Sequence, residues 1–290
     1  MAELRTKQFN PFSLNLKGRL LEVRRPVVMG IINATPDSFF EGSRTGVDSD
    51  STARRAEKLV ADGADWIDVG AYSSRPGADE VTADEETERL AIALSAVRKA
   101  VGSDIPVSVD TFRASVAGTA VRELGADIIN DIAAGQLDPM MFQTVAELRV
   151  PYIIMHMRGT PATMQTLTDY GESVVREVIC TLQKAVRELA LLGVADVIVD
   201  PGFGFAKTLD QNYELMANLA LIGELTRCPV LVGISRKSML TRLLGITPGE
   251  ALNATTALHV AALLQGASVL RVHDPLEAAQ AVAVVERLTC

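Results

Sequence analysis

Four stretches decide the fold: ADGADWIDVG (61–70), RELGADIIND (122–131), ALLGVADVIVD (190–200) and LLQGASVLRV (263–272). In each, a helical pattern runs into a glycine and a short, β-branched-rich apolar run follows. Gly63, Gly125, Gly193 and Gly266 suit the position just past a helix, where a positive φ favours glycine. The runs that follow suit strands buried on both faces, as in a parallel sheet. Reading outward, eight such runs recur about every 34 residues: VVMGII (27–32), DWIDVG (65–70), PVSVD (106–110), DIIND (127–131), YIIMH (152–156), DVIVD (196–200), PVLVG (229–233) and SVLRV (268–272). Helical patterns lie near 51–62, 84–101, 113–124, 138–148, 171–192, 210–225, 249–265 and 275–288. Eight uninterrupted βα units predict an α/β fold, a single-domain (β/α)8 TIM barrel over 27–290, with an open doubly wound sheet as the weaker alternative. Residues 1–26 read as an N-terminal β-hairpin extension turning at Lys17-Gly18 and plugging the bottom of the barrel.

Composition narrows the function. The 290 residues carry 28 Lys+Arg against 36 Asp+Glu, a formal net charge of −8, with 48% apolar residues. No polybasic block is present, which disfavours a nucleic-acid binder because counterion release needs clustered cations. Cys180, Cys228 and Cys290 are odd in number and widely spaced, as expected in a reducing cytosol. The N-terminus lacks a secretory pattern and no stretch reaches the ~18 apolar residues of a membrane helix. The expectation is a cytoplasmic enzyme acting on small molecules, with no membrane or nucleic-acid partner.

In a barrel of this kind the chemistry sits where strands end. All eight runs end in or next to groups able to serve a site: Asn33; Ser73, Ser74 and Arg75; Asp110; Asn130 and Asp131; Met155 and His156; Asp200; Ser235, Arg236 and Lys237; Arg271 and His273. Asn33, Asp110 and Asp131 equally suit turn or helix caps. His156 suits a core position, His259 lies within an apolar helix, and Arg158 suits a solvated loop. Arg271 and His273 stand two apart, so both point to one face. Together with Arg75, Arg236 and Lys237 they make a cationic rim suited to a diphosphate. Asn33 offers one neutral carbonyl to a Mg2+ otherwise held by water and phosphate oxygens. Asp110, Asn130 and Asp200 supply acceptors for a flat heterocycle rich in N–H donors. No Walker, G-x-S-x-G or H-E-x-x-H motif occurs.

MGIINATPDSFFEG (29–42), SSRPGA (73–78), SVDT (108–111), IND (129–131), MHMRGTPATMQ (155–165), DPGFGFAK (200–207), SRKS (235–238) and RVHD (271–274), in this order, resemble the dihydropteroate synthase family. The resemblance implies a homodimeric enzyme of folate biosynthesis that is a target of sulfonamides. It condenses 6-hydroxymethyl-7,8-dihydropterin diphosphate with p-aminobenzoate, with Mg2+ as cofactor. By the same resemblance Asp110, Asn130, Asp200, Lys237, Met155 and Gly233 bind pterin, and Asn33 (through Mg2+), Arg75, Arg271 and His273 bind diphosphate. Ser74, Pro76, Phe39, Phe205, Lys207, Ser235 and Arg236 bind p-aminobenzoate, and Asp110, Lys237, Arg271, His273, Asp37 and Arg75 are the catalytic set. Two departures stand out: Gly70-Ala71-Tyr72 replaces the usual Gly-Gly-Glu, and Ser74 the usual threonine.

Overall fold

The computed structural model describes residues 7–34, 48–72 and 81–289. The expected site residues Asp37, Phe39, Ser74, Arg75 and Pro76 lie outside them. Strands β1 (Phe12–Leu16) and β2 (Arg19–Val23) form the antiparallel hairpin, with Lys17 and Gly18 both at positive φ in its turn. β3 (Val27–Asn33), α1 (Ser49–Ala61), β4 (Trp66–Gly70), α2 (Ala83–Val101), β5 (Val107–Asp110), α3 (Ala114–Arg122), β6 (Ile128–Asp131) and α4 (Met141–Leu148) follow. The second half holds β7 (Tyr152–Met155), α5 (Val174–Leu191), β8 (Val197–Asp200), α6 (Leu209–Ala217), α7 (Leu219–Thr226), β9 (Leu231–Val232), α8 (Ser238–Leu244), α9 (Leu252–Leu264), β10 (Val269–Val272) and α10 (Pro275–Thr289). The eight parallel strands run β8-β7-β6-β5-β4-β3-β10-β9, and a bridge between Val199 and Val230 brings the two ends together. The predicted barrel is therefore observed.

The glycine reading holds at each of the four positions, with φ of +98, +82, +83 and +85° at Gly63, Gly125, Gly193 and Gly266. Helix starts follow local chemistry: Asp48, Thr82 and Ser173 cap α1, α2 and α5, and Thr208 with Gln211 forms a capping box on α6. Two local readings change. The single helix expected near 210–225 breaks at Asn218, whose side chain bonds back to the Glu214 carbonyl. The seventh run yields a strand of only two residues, and a seven-residue helix, α8, follows it unforeseen.

Side chains alternate along each strand. Ile67, Val69, Val107, Val109, Ile129, Ile154 and Val199 face outward into the main core under the helices. Met29, Trp66, Ile128, Ile153, Ile198, Leu231 and Val269 form a second, inner cluster with hairpin residues Leu14, Leu16 and Val23. The hairpin thus closes the lower end of the barrel, as the sequence predicts. One two-residue step further along the inner face, Trp66 gives way to Asp68, Ser108 to Asp110, Ile128 to Asn130, Ile153 to Met155, Ile198 to Asp200, Leu231 to Gly233 and Val269 to Arg271. Among the described residues no helix is long and apolar enough to cross a membrane. Leu14→Ala should destabilise the fold by about 2–5 kcal/mol through the cavity left in this plug. Urea unfolding followed by the fluorescence of Trp66, the sole tryptophan, 2% exposed, reads it out; an unchanged midpoint would remove the hairpin from the core.

Candidate active site

The polar inner layer is organised by Arg271. Its Nε donates to Asp68 Oδ2 at 2.6 Å and its Nη2 to Asp110 Oδ2 at 2.7 Å, so one guanidinium from β10 spans β4 and β5. Asn130 Nδ2 donates to the same Asp68 oxygen at 3.1 Å, which presents the Asn130 amide in a set orientation. Burial alone would lower the Arg271 guanidinium, but the Asp68 and Asp110 carboxylates overcome it and hold the group firmly charged. Burial raises the Asp110 carboxyl above the usual range against the opposing pull of Arg271. Asp68 is fully buried, and Asp68 Oδ1 and Ser108 Oγ, from residues that face each other across β4 and β5, have no hydrogen-bond partner among the described residues. Buried polar atoms in this state mark a place for water or a ligand.

On the far side of the layer Asp200 Oδ1 accepts from the Gly202 amide at 2.7 Å, and burial raises its carboxyl against the opposing Lys237. Lys237 Nζ donates to the Phe203 carbonyl at 2.6 Å and lies 4.8 Å from the Phe205 ring centroid; burial lowers its ammonium to about 8. A Cβ on Gly233 would lie 3.8 Å from both Asp200 Oδ2 and Lys237 Nζ, so the glycine leaves both groups open to whatever rests on it. Above them is a cavity of about 710 Å³ walled by Phe203, Phe205, Gly233, Lys237, Arg271 and His273. That volume suits a small molecule. Asp110, Asn130, Met155, Asp200, Gly233 and Lys237 are thus brought to one end of the barrel, on four strands and the loop after β9.

The cationic rim differs from the sequence reading. Arg236 is held by Asp274 through two 2.8 Å bonds and donates to the Pro248 and Gly249 carbonyls. Arg271 is neutralised by two carboxylates. Burial lowers the His273 imidazole to about 4, so near neutral pH it acts as a neutral hydrogen-bonding ring. Lys207, expected at the amine subsite, is buried with Nζ against backbone carbonyls. Ser235 Oγ accepts from the His273 amide at 3.3 Å and lines the cavity, and Asn33 closes β3 beside Gly70. Asp131 takes the turn role: it accepts from the Ala133 and Gly135 amides and the Tyr152 hydroxyl. His156 and His259 are buried core histidines, and Arg158 stacks 4.0 Å over the Tyr170 ring while keeping 31% of its side chain exposed.

Asp68 is the residue that sequence reading missed. Its signal was present: a lone carboxylate inside the apolar run WIDV, two residues before the strand end. Asp68→Asn should cost about 3 kcal/mol, the low end for breaking a buried ion pair, because Arg271 keeps Asp110 and some exposure. Urea unfolding would measure it, and a wild-type midpoint would show the pair to be dispensable.

A family described as "Pterin binding enzyme" matches residues 29–273. The chain is 41% identical over 271 residues to a dihydropteroate synthase of Synechocystis, covering 91% of each. It is also 40% identical to the mitochondrial folate synthesis bifunctional protein of Arabidopsis thaliana, covering 90% of this chain but spanning only 49% of that protein. Among solved structures, Yersinia pestis dihydropteroate synthase in a sulfonamide drug complex superposes with a TM-score of 0.89 at 36% identity, over 96% of this chain and 99% of that one. The chain therefore belongs to the pterin-binding enzymes, in the group formed by the dihydropteroate synthases.

Proposed function

We propose that this protein joins 6-hydroxymethyl-7,8-dihydropterin diphosphate to p-aminobenzoate, releasing diphosphate and 7,8-dihydropteroate. The observation that carries the reading is the inner layer itself: two carboxylates and an amide, Asp110, Asp200 and Asn130, with Gly233 beside Asp200 and a small-molecule cavity above. A pterin ring displays an amino-pyrimidinone edge with several N–H donors, and buried acceptors select such an edge over ligands lacking it. The C–O bond to diphosphate breaks with its electron pair leaving on oxygen. The amine lone pair then forms the new C–N bond, and the amine proton passes to water or to the released diphosphate. Negative charge on Asp110 and Asp200 would favour the cationic carbon. Arg271 and Lys237 face the cavity from the same layer, with Arg271 Nη1 not hydrogen-bonded among the described residues. His273 offers the leaving group a neutral donor.

The donor set bears on Mg2+. Among the described residues no cluster of three His, Cys, Asp or Glu side chains is fit to hold a metal unaided. Asn33, one neutral amide at the mouth of β3, fits an ion that takes its other ligands from water and phosphate oxygens. Mg2+ bound there would offset negative charge on the diphosphate.

Purified protein should release diphosphate only when the dihydropterin diphosphate and p-aminobenzoate are both supplied, and chelation of Mg2+ should suppress it. Pterin binding without turnover would instead favour a non-catalytic binding protein. Asp200→Asn should weaken pterin binding about ten- to a hundredfold, since an acceptor facing N–H donors becomes partly a donor. Titration calorimetry on the bare pterin checks this, and wild-type affinity would remove Asp200 from the pterin edge.

A further inference from the structure

Lys207 has a different place from the one its motif suggests. It is only 6% exposed, and its Nζ lies 2.9 Å from the Gly202 carbonyl, 2.9 Å from the Phe205 carbonyl, 3.4 Å from the His156 carbonyl and 3.1 Å from His156 Nδ1. An ammonium has three protons, and three carbonyl oxygens already surround this one, with His156 Nδ1 beside them. No proton remains for a substrate carboxylate.

The segment it grips is strained. Gly202, Gly204 and Ala206 have φ of +73, +82 and +51°, and left-handed backbone at the alanine is strained by its Cβ. A Cβ on Gly202 would fall 2.0 Å from the His156 carbonyl oxygen, so this turn packs directly on the end of β7. Such a conformation persists where surrounding bonds over-determine it. Lys207 supplies those bonds from beneath, and the Tyr170 hydroxyl adds one to the Ala206 carbonyl at 2.9 Å. The same segment carries the Phe205 ring into the cavity, offers the Phe203 carbonyl to Lys237 and gives its Gly202 amide to Asp200.

We infer that Lys207 is a positioning residue: by tying the Gly202 and Phe205 carbonyls to His156 it sets the Phe205 wall of the amine subsite and the place of Lys237. The inference rests on the proposed transfer to p-aminobenzoate and assigns Lys207 no contact with substrate. Around Nζ the charged and titratable neighbours are Asp200, Lys237, Arg158 and His156. With those groups around it, burial lowers the ammonium to about 7 and the His156 imidazole to about 2.

Lys207→Gln decides the matter through kinetics, pterin binding and hydrogen exchange. The KM for p-aminobenzoate should rise about tenfold, as expected for losing charge-assisted bonds. The KM for p-aminobenzamide, which has no carboxylate, should rise by the same factor, and bare pterin should bind more weakly. A rise confined to p-aminobenzoate would make Lys207 a direct carboxylate ligand and overturn the inference. A lower kcat with both KM values unchanged would reduce it to a general folding role and also overturn it. Hydrogen exchange at the Gly202, Gly204 and Phe205 amides, which needs no turnover, should quicken about tenfold and locally. If it does while the wild type releases no diphosphate, the functional reading fails and the loop assignment stands. If Lys207→Gln does not fold, Tyr170→Phe loosens the same segment at Ala206. A smaller, equal rise in both KM values is then expected, and unchanged KM values with unchanged exchange would overturn the inference.

Discussion

The open end of the barrel depends on the Arg271 guanidinium bridging Asp68 and Asp110. Three inward carboxylates, Asp68, Asp110 and Asp200, share one layer of the barrel interior, where like charges repel and burial raises the Asp110 and Asp200 carboxyls. Arg271 makes that arrangement tenable for the first two, and Lys237 opposes the third from the loop after β9. A buried ion pair of this kind adds little net stability relative to apolar packing. What it secures is geometry: β10 is tied across β3 to β4 and β5, and Asn130 is turned by the oxygen it shares with Arg271.

The separation of stability from chemistry follows from a single step along the strands. Inward residues near the strand starts are mostly large and apolar and pack against Leu14, Leu16 and Val23, while two positions later most are polar, with Ile31, Met155 and Gly233 the exceptions. Because all eight strands are parallel, the same step on each one points the same way, and one end of the barrel becomes a plug and the other a site. Charge is distributed by the same geometry, though less simply than the acidic helices suggest. In α2, Glu85 and Glu88 are exposed, whereas Glu86 is fully buried and paired with Arg113.

Much of this was legible beforehand, for identifiable reasons. Asp110, Asn130 and Asp200 stood out because each is a polar residue closing an apolar run, and their spacing to the next glycine-and-strand unit marked the repeat. Asp68 did not stand out because Ile67 and Val69 surround it and Gly70 reads as the strand end. Arg236 and Arg271 looked like free cations because neither has its partner beside it in the chain: the aspartate that holds Arg236 belongs to RVHD, and those that hold Arg271 belong to earlier strands. Those partners, Asp274 for the first and Asp68 and Asp110 for the second, lie 38 to 203 residues away. The same holds for Lys207, whose motif marks it as important while its acceptors come from the end of another strand and from the turn that precedes it.

The sequence by itself determined what is local and periodic: eight βα units, glycines at positive φ after helices, a hairpin ahead of the first strand, and polar residues gathered at strand ends. These follow from backbone sterics and from the two- and 3.6-residue periods, which act within a dozen residues. Only the tertiary structure decided which charges neutralise one another, which histidines lose their charge and which lysine holds the site rather than joining it. Those outcomes depend on burial and on distances between residues far apart in the chain, and both are set when the barrel closes.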